Sequence, residues 1–460
     1  FTGKSGKLIE PEPDIKGGAD EQASALSKKI SDLEDVLYGS GSIYYVSESG
    51  NDNNSGLKNE PIKTVSRLNR LELKSGDRVL FERGSVFRTA EPVNAVSGVS
   101  YGAYGNAANP KPVISGSLIN YASSSLWSRS DTENVWQLSL SGESAAGVMT
   151  FNGGESCGSR CYSMNELGKI GDYYHDISGS VLYLYFNSYN PGEYFADIEI
   201  GTTEILFEGL VGGKSVKDCK LRNIGFEYAT KLGADFQYTS GITVSGCVFS
   251  WIGGANWNAS TRLGNAVQFW AAAKNCSVEY CAFNQIYDAA VTFQGKTGSD
   301  QTFDNISFNN NLIEYCSFNF EFWGSDESGS TARTTVSNIG FTDNIVRFCG
   351  YGWGGRQRSG KYGAMLLGQN FEYTDNVSEF KITGNIFDCA SKSANCSFIY
   401  AKDSILKLIE LSGNSYFCRS EDSGMIFSHY NSGSQVTDKA AFEAIIKKYD
   451  KNPAAIGWIE

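Results

Sequence analysis

Histidine is almost missing from this 460-residue chain: His175 and His429 stand alone, far apart, beside 11 Cys. A zinc centre built on Cys and His therefore lacks both the ligands and their spacing. Cations are also short, with 39 Lys and Arg against 51 Asp and Glu, a formal charge of −12. That balance excludes a phosphate-tracking surface, so no nucleic-acid partner is expected. No apolar run approaches the roughly 18 residues of a membrane-spanning helix. No secretory signal opens the sequence, and Phe1-Thr2-Gly3-Lys4 reads as a trimmed boundary.

What is abundant points the other way. Fifty-one Gly, 25 Tyr and 27 Phe beside 8 Pro describe a β-rich, turn-rich protein with stacked aromatic side chains. The length allows one large domain or two to three ordinary ones. Most Cys fall inside strand-like phrases and read as small buried residues rather than a disulfide framework. Cys157 and Cys161 share a Gly/Ser loop, where pairing and free thiols are both open.

Two phrases recur. The first includes Ala266-Val267-Gln268-Phe269-Trp270, Ala290-Val291-Thr292-Phe293-Gln294 and Asn319-Phe320-Glu321-Phe322-Trp323. It continues as Ala364-Met365-Leu366-Leu367-Gly368, Ser397-Phe398-Ile399-Tyr400-Ala401 and Gly424-Met425-Ile426-Phe427-Ser428. Its second and fourth positions are apolar, the period of a strand with one buried face. Its third position runs Gln268, Thr292, Glu321, then Leu366, Ile399 and Ile426. The second phrase ends on Cys247, Cys281, Asn311, Asn344, Asn385 and Asn414, at intervals of 29 to 41 residues. Such spacing is repeat architecture in which each coil buries its apolar face on its neighbours. Asn at equivalent positions is expected to form a hydrogen-bonded column.

Taken in order, residues 1–19 read as a tail or linker, and 20–40 as a capping helix, with Leu26, Ile30, Leu33 and Leu37 at helical spacing. Residues 41–436 form the repeat body, interrupted by a β-rich insertion around 117–200. Residues 437–460 read as a C-terminal capping helix opened by Thr437 or Asp438. The order of Ile43-Tyr44-Tyr45-Val46, the Asn-rich turn 49–56, Asp77-Arg78-Val79-Leu80-Phe81 and Pro112-Val113-Ile114 resembles secreted proteins with a pectate-lyase-like fold. That resemblance implies an all-β, right-handed parallel β-helix, here with N-terminal and C-terminal capping helices, in a secreted or cell-surface protein.

In strands with Val267 and Phe269 inward, residues 266, 268 and 270 are expected to face outward. Gln268, Thr292 and Glu321 then form one outward column at roughly 4.8 Å per step, with Trp270, Gln294 and Trp323 in the next. A carboxylate between indoles suits a sugar, whose ring stacks on the apolar plane while its hydroxyls meet polar groups. Asp288 and Asp326 are candidate partners for Glu321, since glycoside hydrolysis needs a proton donor and a second carboxylate. Arg262, Trp353, Arg356 and Arg358 are further candidates for binding substrate. No motif calls for a cofactor or a metal; Ca²⁺ is compatible with the fold but indicated by nothing specific.

The runs from Leu263 to Trp270, Tyr287 to Gln294 and Tyr351 to Arg358 resemble bacterial β-helix proteins grouped with carbohydrate-active enzymes. The resemblance spans about residues 43 to 430 and implies a carbohydrate substrate. The expected function is a glycoside hydrolase acting on a complex polysaccharide or glycan, with Glu321 as acid and Asp288 as partner. Two alternatives stay open: a polysaccharide lyase using Arg356, Arg358, Lys361 or Tyr362 on a uronate polymer, and a glycan-binding surface protein without catalysis. Oligomeric state does not follow from the sequence.

Overall fold

The computed structural model describes residues 14–36, 38–142, 144–256, 262–296, 298–324, 332–358, 362–369, 376–393, 395–428 and 434–460. Its body is a right-handed parallel β-helix in which a full coil supplies one strand to a 10-stranded sheet, the second sheet, and two to a 17-stranded sheet, whose two runs are the first and third sheets. The coil from 282 to 309 shows the plan: Ala282–Ile286 joins the second sheet, Ala289–Gln294 the third, and Gln301–Asn309 the first. One long strand, Asn265–Glu279, ties two sheets together. Its front pairs with Leu232–Ser240 and Ala289–Gln294, its back with Thr243–Ser245 and Gln301–Asn309.

The corner between first and second sheets explains the second sequence phrase. Each corner is one residue in the left-handed region followed by the column residue: Asn310 (φ 53), Asp343 (φ 55), Gly384 (φ 70) and Gly413 (φ 70) precede Asn311, Asn344, Asn385 and Asn414. Asn, Asp and Gly adopt that region at least cost. The expected amide column is present. Asn311 donates to Asn344 at 2.9 Å, Asn344 to Asn385 at 3.0 Å, Asn385 to Asn414 at 3.0 Å, and Asn414 to Asp450 at 2.9 Å. Cys281, next in the column, donates its backbone N–H to Asn311 at 2.9 Å. Inside the coils, phenylalanines stack from turn to turn, as in Phe226, Phe249 and Phe283 at 5.0 and 5.2 Å.

Residues 117–200 leave the coil and build their own five-stranded and three-stranded sheets around Trp127, Trp136, Phe151 and Tyr173. The insertion sits on the coil through Val148, against Tyr228, Trp251, Tyr287 and Trp353. No disulfide joins Cys157 and Cys161 there, and ten of the eleven cysteines are buried.

The terminal segments depart from the expectation of two capping helices. The first helix, Asp20–Ser31, does not cover an end. It lies along the flank of the second sheet, with Ala23 and Ile30 packed on Leu312 and Ile345. A short apolar stripe fits a flank as well as an end, so periodicity could not choose. Near the C-terminus, Lys439–Tyr449 is helical, capped by Asp438, and buries Phe442 and Ile446 in the core beside Phe398 and Phe427. The residues after it are not helix: Ala455–Ile459 adds a strand to the second sheet.

Two further corrections concern the outward column. Ala266 and Val267 both lie in the core, because the chain turns a corner there, and Asn265 rather than Ala266 faces out. Gly233 occupies the same inward position one coil earlier, where an added Cβ would sit 2.5 Å from the Ala266 carbonyl oxygen. Glu321 pairs with Leu367, not Leu366, and Leu367 with Tyr400, not Ile399. Leu366 and Ile399 are core residues, and Ile426 does not align with them: Ile399 bridges to Ser428.

Candidate active site on the third sheet

The register places Glu208, Asp235, Gln268, Thr292, Glu321, Leu367 and Tyr400 in one outward column across seven successive strands. Beside it runs a second column of Gln237, Trp270, Gln294, Trp323 and Gln369. Alternation along each strand puts both columns on the same face. Trp270 and Trp323 are half-buried and flank Gln294 in this second column, beside the one that holds Glu321.

Glu321 is 4% exposed. Its Oε2 accepts from Thr292 Oγ1 at 3.2 Å and from the Gln294 amide. Burial, reinforced by the nearby Asp288 charge, raises its pKa to about 8, against the pull of those two hydrogen bonds and of Arg358. At neutral pH this carboxyl carries a proton.

Asp288 sits at the corner just before Ala289, anchored by its backbone N–H to the Gly264 carbonyl at 3.0 Å. Its Oδ1 pairs with Arg358 Nη1 at 2.9 Å, and both side chains remain 17% exposed. The Arg358 guanidinium also packs over Phe318 at 4.8 Å and Tyr287 at 5.2 Å. Asp288 with Arg358, and Thr292 and Gln294 with Glu321, thus form two bonded sets whose charges act on each other.

The other expected residues divide. Gln268 is in the column but fully engaged: it donates to Asp235 at 3.0 Å and accepts from Asn265 at 2.7 Å. Trp353 is not available to a sugar. It is wholly buried, with its indole N–H on the Gln285 carbonyl at 2.9 Å and its ring against Tyr287. Arg356 reaches away toward the insertion, donating to the Tyr351 carbonyl at 2.6 Å and touching Cys157 Sγ at 3.7 Å. Arg262 is 5% exposed and packs over Tyr287 at 4.3 Å. Asp326 and Lys361 lie outside the described residues.

Two carboxylates of the column escaped sequence reasoning. Asp235 is 1% exposed and its pKa is raised by burial. Glu208, one strand further back, is pushed up to about 7 by burial and then by the Asp235 charge. The signal was there: Gly233-Ala234-Asp235-Phe236-Gln237 repeats the pattern of Ala266-Val267-Gln268-Phe269-Trp270 one coil earlier. Among the described residues no group of three or more His, Cys, Asp or Glu is placed to hold a metal ion. No described helix is long and apolar enough to cross a membrane.

No protein-family model and no curated protein sequence matches the chain. Among solved structures it is similar to XylC in complex with xylose, at 12% identity and a TM-score of 0.43, over 82% of this chain and 83% of that one. It is likewise similar to a glycoside hydrolase at 12% identity and 0.42, over 91% and 96% of the two chains. A third similarity, at 14% identity and 0.42 over 91% and 68%, is to the GH136 lacto-N-biosidase from Eubacterium ramulus.

Proposed function

We propose that the chain is a glycoside hydrolase acting on a glycan on the outer face of the third sheet, outside the cell or at its surface. The observation that carries this reading is Glu321, a buried carboxyl whose pKa of about 8 keeps it protonated beside the ion-paired Asp288. Glycosidic cleavage requires one carboxyl that gives a proton and a second carboxyl group across the sugar from it. Glu321 gives its proton to the leaving glycosidic oxygen. Asp288, ion-paired with Arg358, acts on the opposite side of the sugar ring, as nucleophile or as the base that activates water. Trp270 and Trp323 offer the planes on which neighbouring rings stack. The reaction as proposed runs on carboxylates without a metal.

Incubating the protein with a panel of polysaccharides and oligosaccharides tests this directly. New reducing ends without ultraviolet-absorbing unsaturated products are expected, and Glu321→Gln should lower the rate by about 10²–10⁴, the usual contribution of a general acid. Unsaturated products would replace the hydrolase with a lyase. Retained sugar with no product at all would leave a binding protein.

A further inference from the structure

Where the insertion meets the coil, two guanidiniums lie over the Tyr287 ring and a third, from Arg160, joins one of them at a shared carbonyl, with a single carboxylate among the three. Arg160 of the insertion and Arg262 of the coil both donate to the same oxygen, the Gly254 carbonyl, Arg262 from Nε at 2.7 Å. Arg262 also donates to the Gly147 carbonyl at 3.3 Å and lies over the Tyr287 ring, which Arg358 approaches as well. Of the three, Arg358 alone holds a carboxylate, Asp288. Among the described residues neither Arg160 nor Arg262 has an ion-pair partner, and the buried Nε of Arg160 has no hydrogen-bond partner.

Two adjacent cations, Arg262 buried and Arg160 half-buried, are costly without a counter-charge, and carbonyl oxygens compensate only in part. A fold needing only a seam between insertion and coil could use neutral side chains here. The cluster opens outward past Tyr162, which is 44% exposed and whose ring lies 5.5 Å from the Arg160 guanidinium. Arg358, over the same Tyr287 ring, and its partner Asp288 carry charges that act on Glu321.

We propose that Arg160 and Arg262, walled by Tyr162 and Tyr287, form a subsite for an anionic group on the sugar next to the one cleaved, a carboxylate or a sulfate. Planar guanidiniums with spare N–H groups match either oxyanion in bidentate fashion. The inference rests on the hydrolase reading for the place of that sugar, and it narrows the substrate to acidic glycans.

The test measures binding apart from cleavage, by calorimetry on the Glu321→Gln protein. Two matched pairs are titrated: trigalacturonate with its methyl ester, and a sulfated carrageenan tetrasaccharide with its desulfated, neutral form. At least one anionic member should bind about tenfold or more tighter than its neutral partner, a difference of ~1.4 kcal/mol. Adding Arg160→Gln should erase that preference while leaving the neutral ligand's affinity unchanged. Arg160→Lys, which keeps the charge and the seam, should retain part of it and serves if the glutamine variant folds poorly. The pair that responds tells carboxylate from sulfate. Equal binding within both pairs, or a preference that survives Arg160→Gln, overturns the subsite. If the preference holds but the unmutated protein releases no reducing ends from either acidic glycan, the subsite stands and the hydrolase assignment falls.

Discussion

At the scale of the residue, Glu321 has a consequence for stability as well as catalysis. In the unfolded chain its carboxyl ionises near the ordinary 4.5, whereas the folded chain holds the proton to about 8. Below the lower value the group is protonated in both states and costs nothing. As pH rises between them the unfolded chain releases the proton and the folded chain keeps it, so stability is lost progressively; above about 8 the loss is complete and constant. Glu321→Gln removes the titration and keeps an acceptor for Thr292 and Gln294. Its melting temperature should exceed that of the unmutated protein by a margin that widens from pH 5 to 8 and then levels off. A margin that is flat with pH would mean that Glu321 is ionised throughout. The sequence made Glu321 legible because a charge stood in an apolar phrase. It left Arg160 hidden, because a residue of the insertion reaches the site only through packing.

At the scale of the element, the Asn column is the part read most directly from sequence, since one residue type recurs at one corner of each coil. Each member is used fully. Asn344 donates to Asn385 and, at 3.0 Å, to the Phe308 carbonyl, and its Oδ1 accepts the side-chain and backbone N–H of Asn311, both at 2.9 Å. Asn344→Ala would strand several buried groups at once. At ~1–3 kcal/mol for each buried group left unsatisfied, a loss of several kcal/mol is expected in urea denaturation. Asn344→Asp should also be damaging, because a carboxylate accepts from Asn311 but cannot donate onward. A loss below about 1 kcal/mol would mean that water replaces the side chain. The third-sheet phrase was less legible for a physical reason. Ala266 and Val267 are consecutive inward residues, which breaks the period of two, and the run Met365-Leu366-Leu367 is apolar in either register. The sequence alignment therefore slipped by one residue beyond Glu321.

At the scale of the whole molecule, the segment from Gly17 to Ser42 runs against the direction of the coils and ties late turns to early ones. Gly18 and Ala19 donate to Asp388 at 2.9 and 3.1 Å, the helix follows along Leu312 and Ile345, and Asp35 pairs with Arg83 at 2.7 Å. The Ser42 N–H then reaches Asp77 at 2.8 Å. Neighbouring coils of a solenoid contact only each other, so a strap of this kind adds long-range cooperativity to a nearly one-dimensional fold. Its late-coil anchor is Asp388, wholly buried and paired with Arg347, itself 6% exposed, at 3.1 Å. Asp388→Ala removes the acceptor of both strap amides and one of the three carboxylates around Arg347, at a cost of about 1–3 kcal/mol for each buried donor left unsatisfied. Loss of the anchor should also change how the molecule unfolds. Amide exchange over residues 17–31 should accelerate ahead of the coil, and the thermal transition should broaden as early and late coils uncouple. A sharp transition with residues 17–31 still protected would show instead that the apolar contacts of Ala23 and Ile30 hold the strap without Asp388.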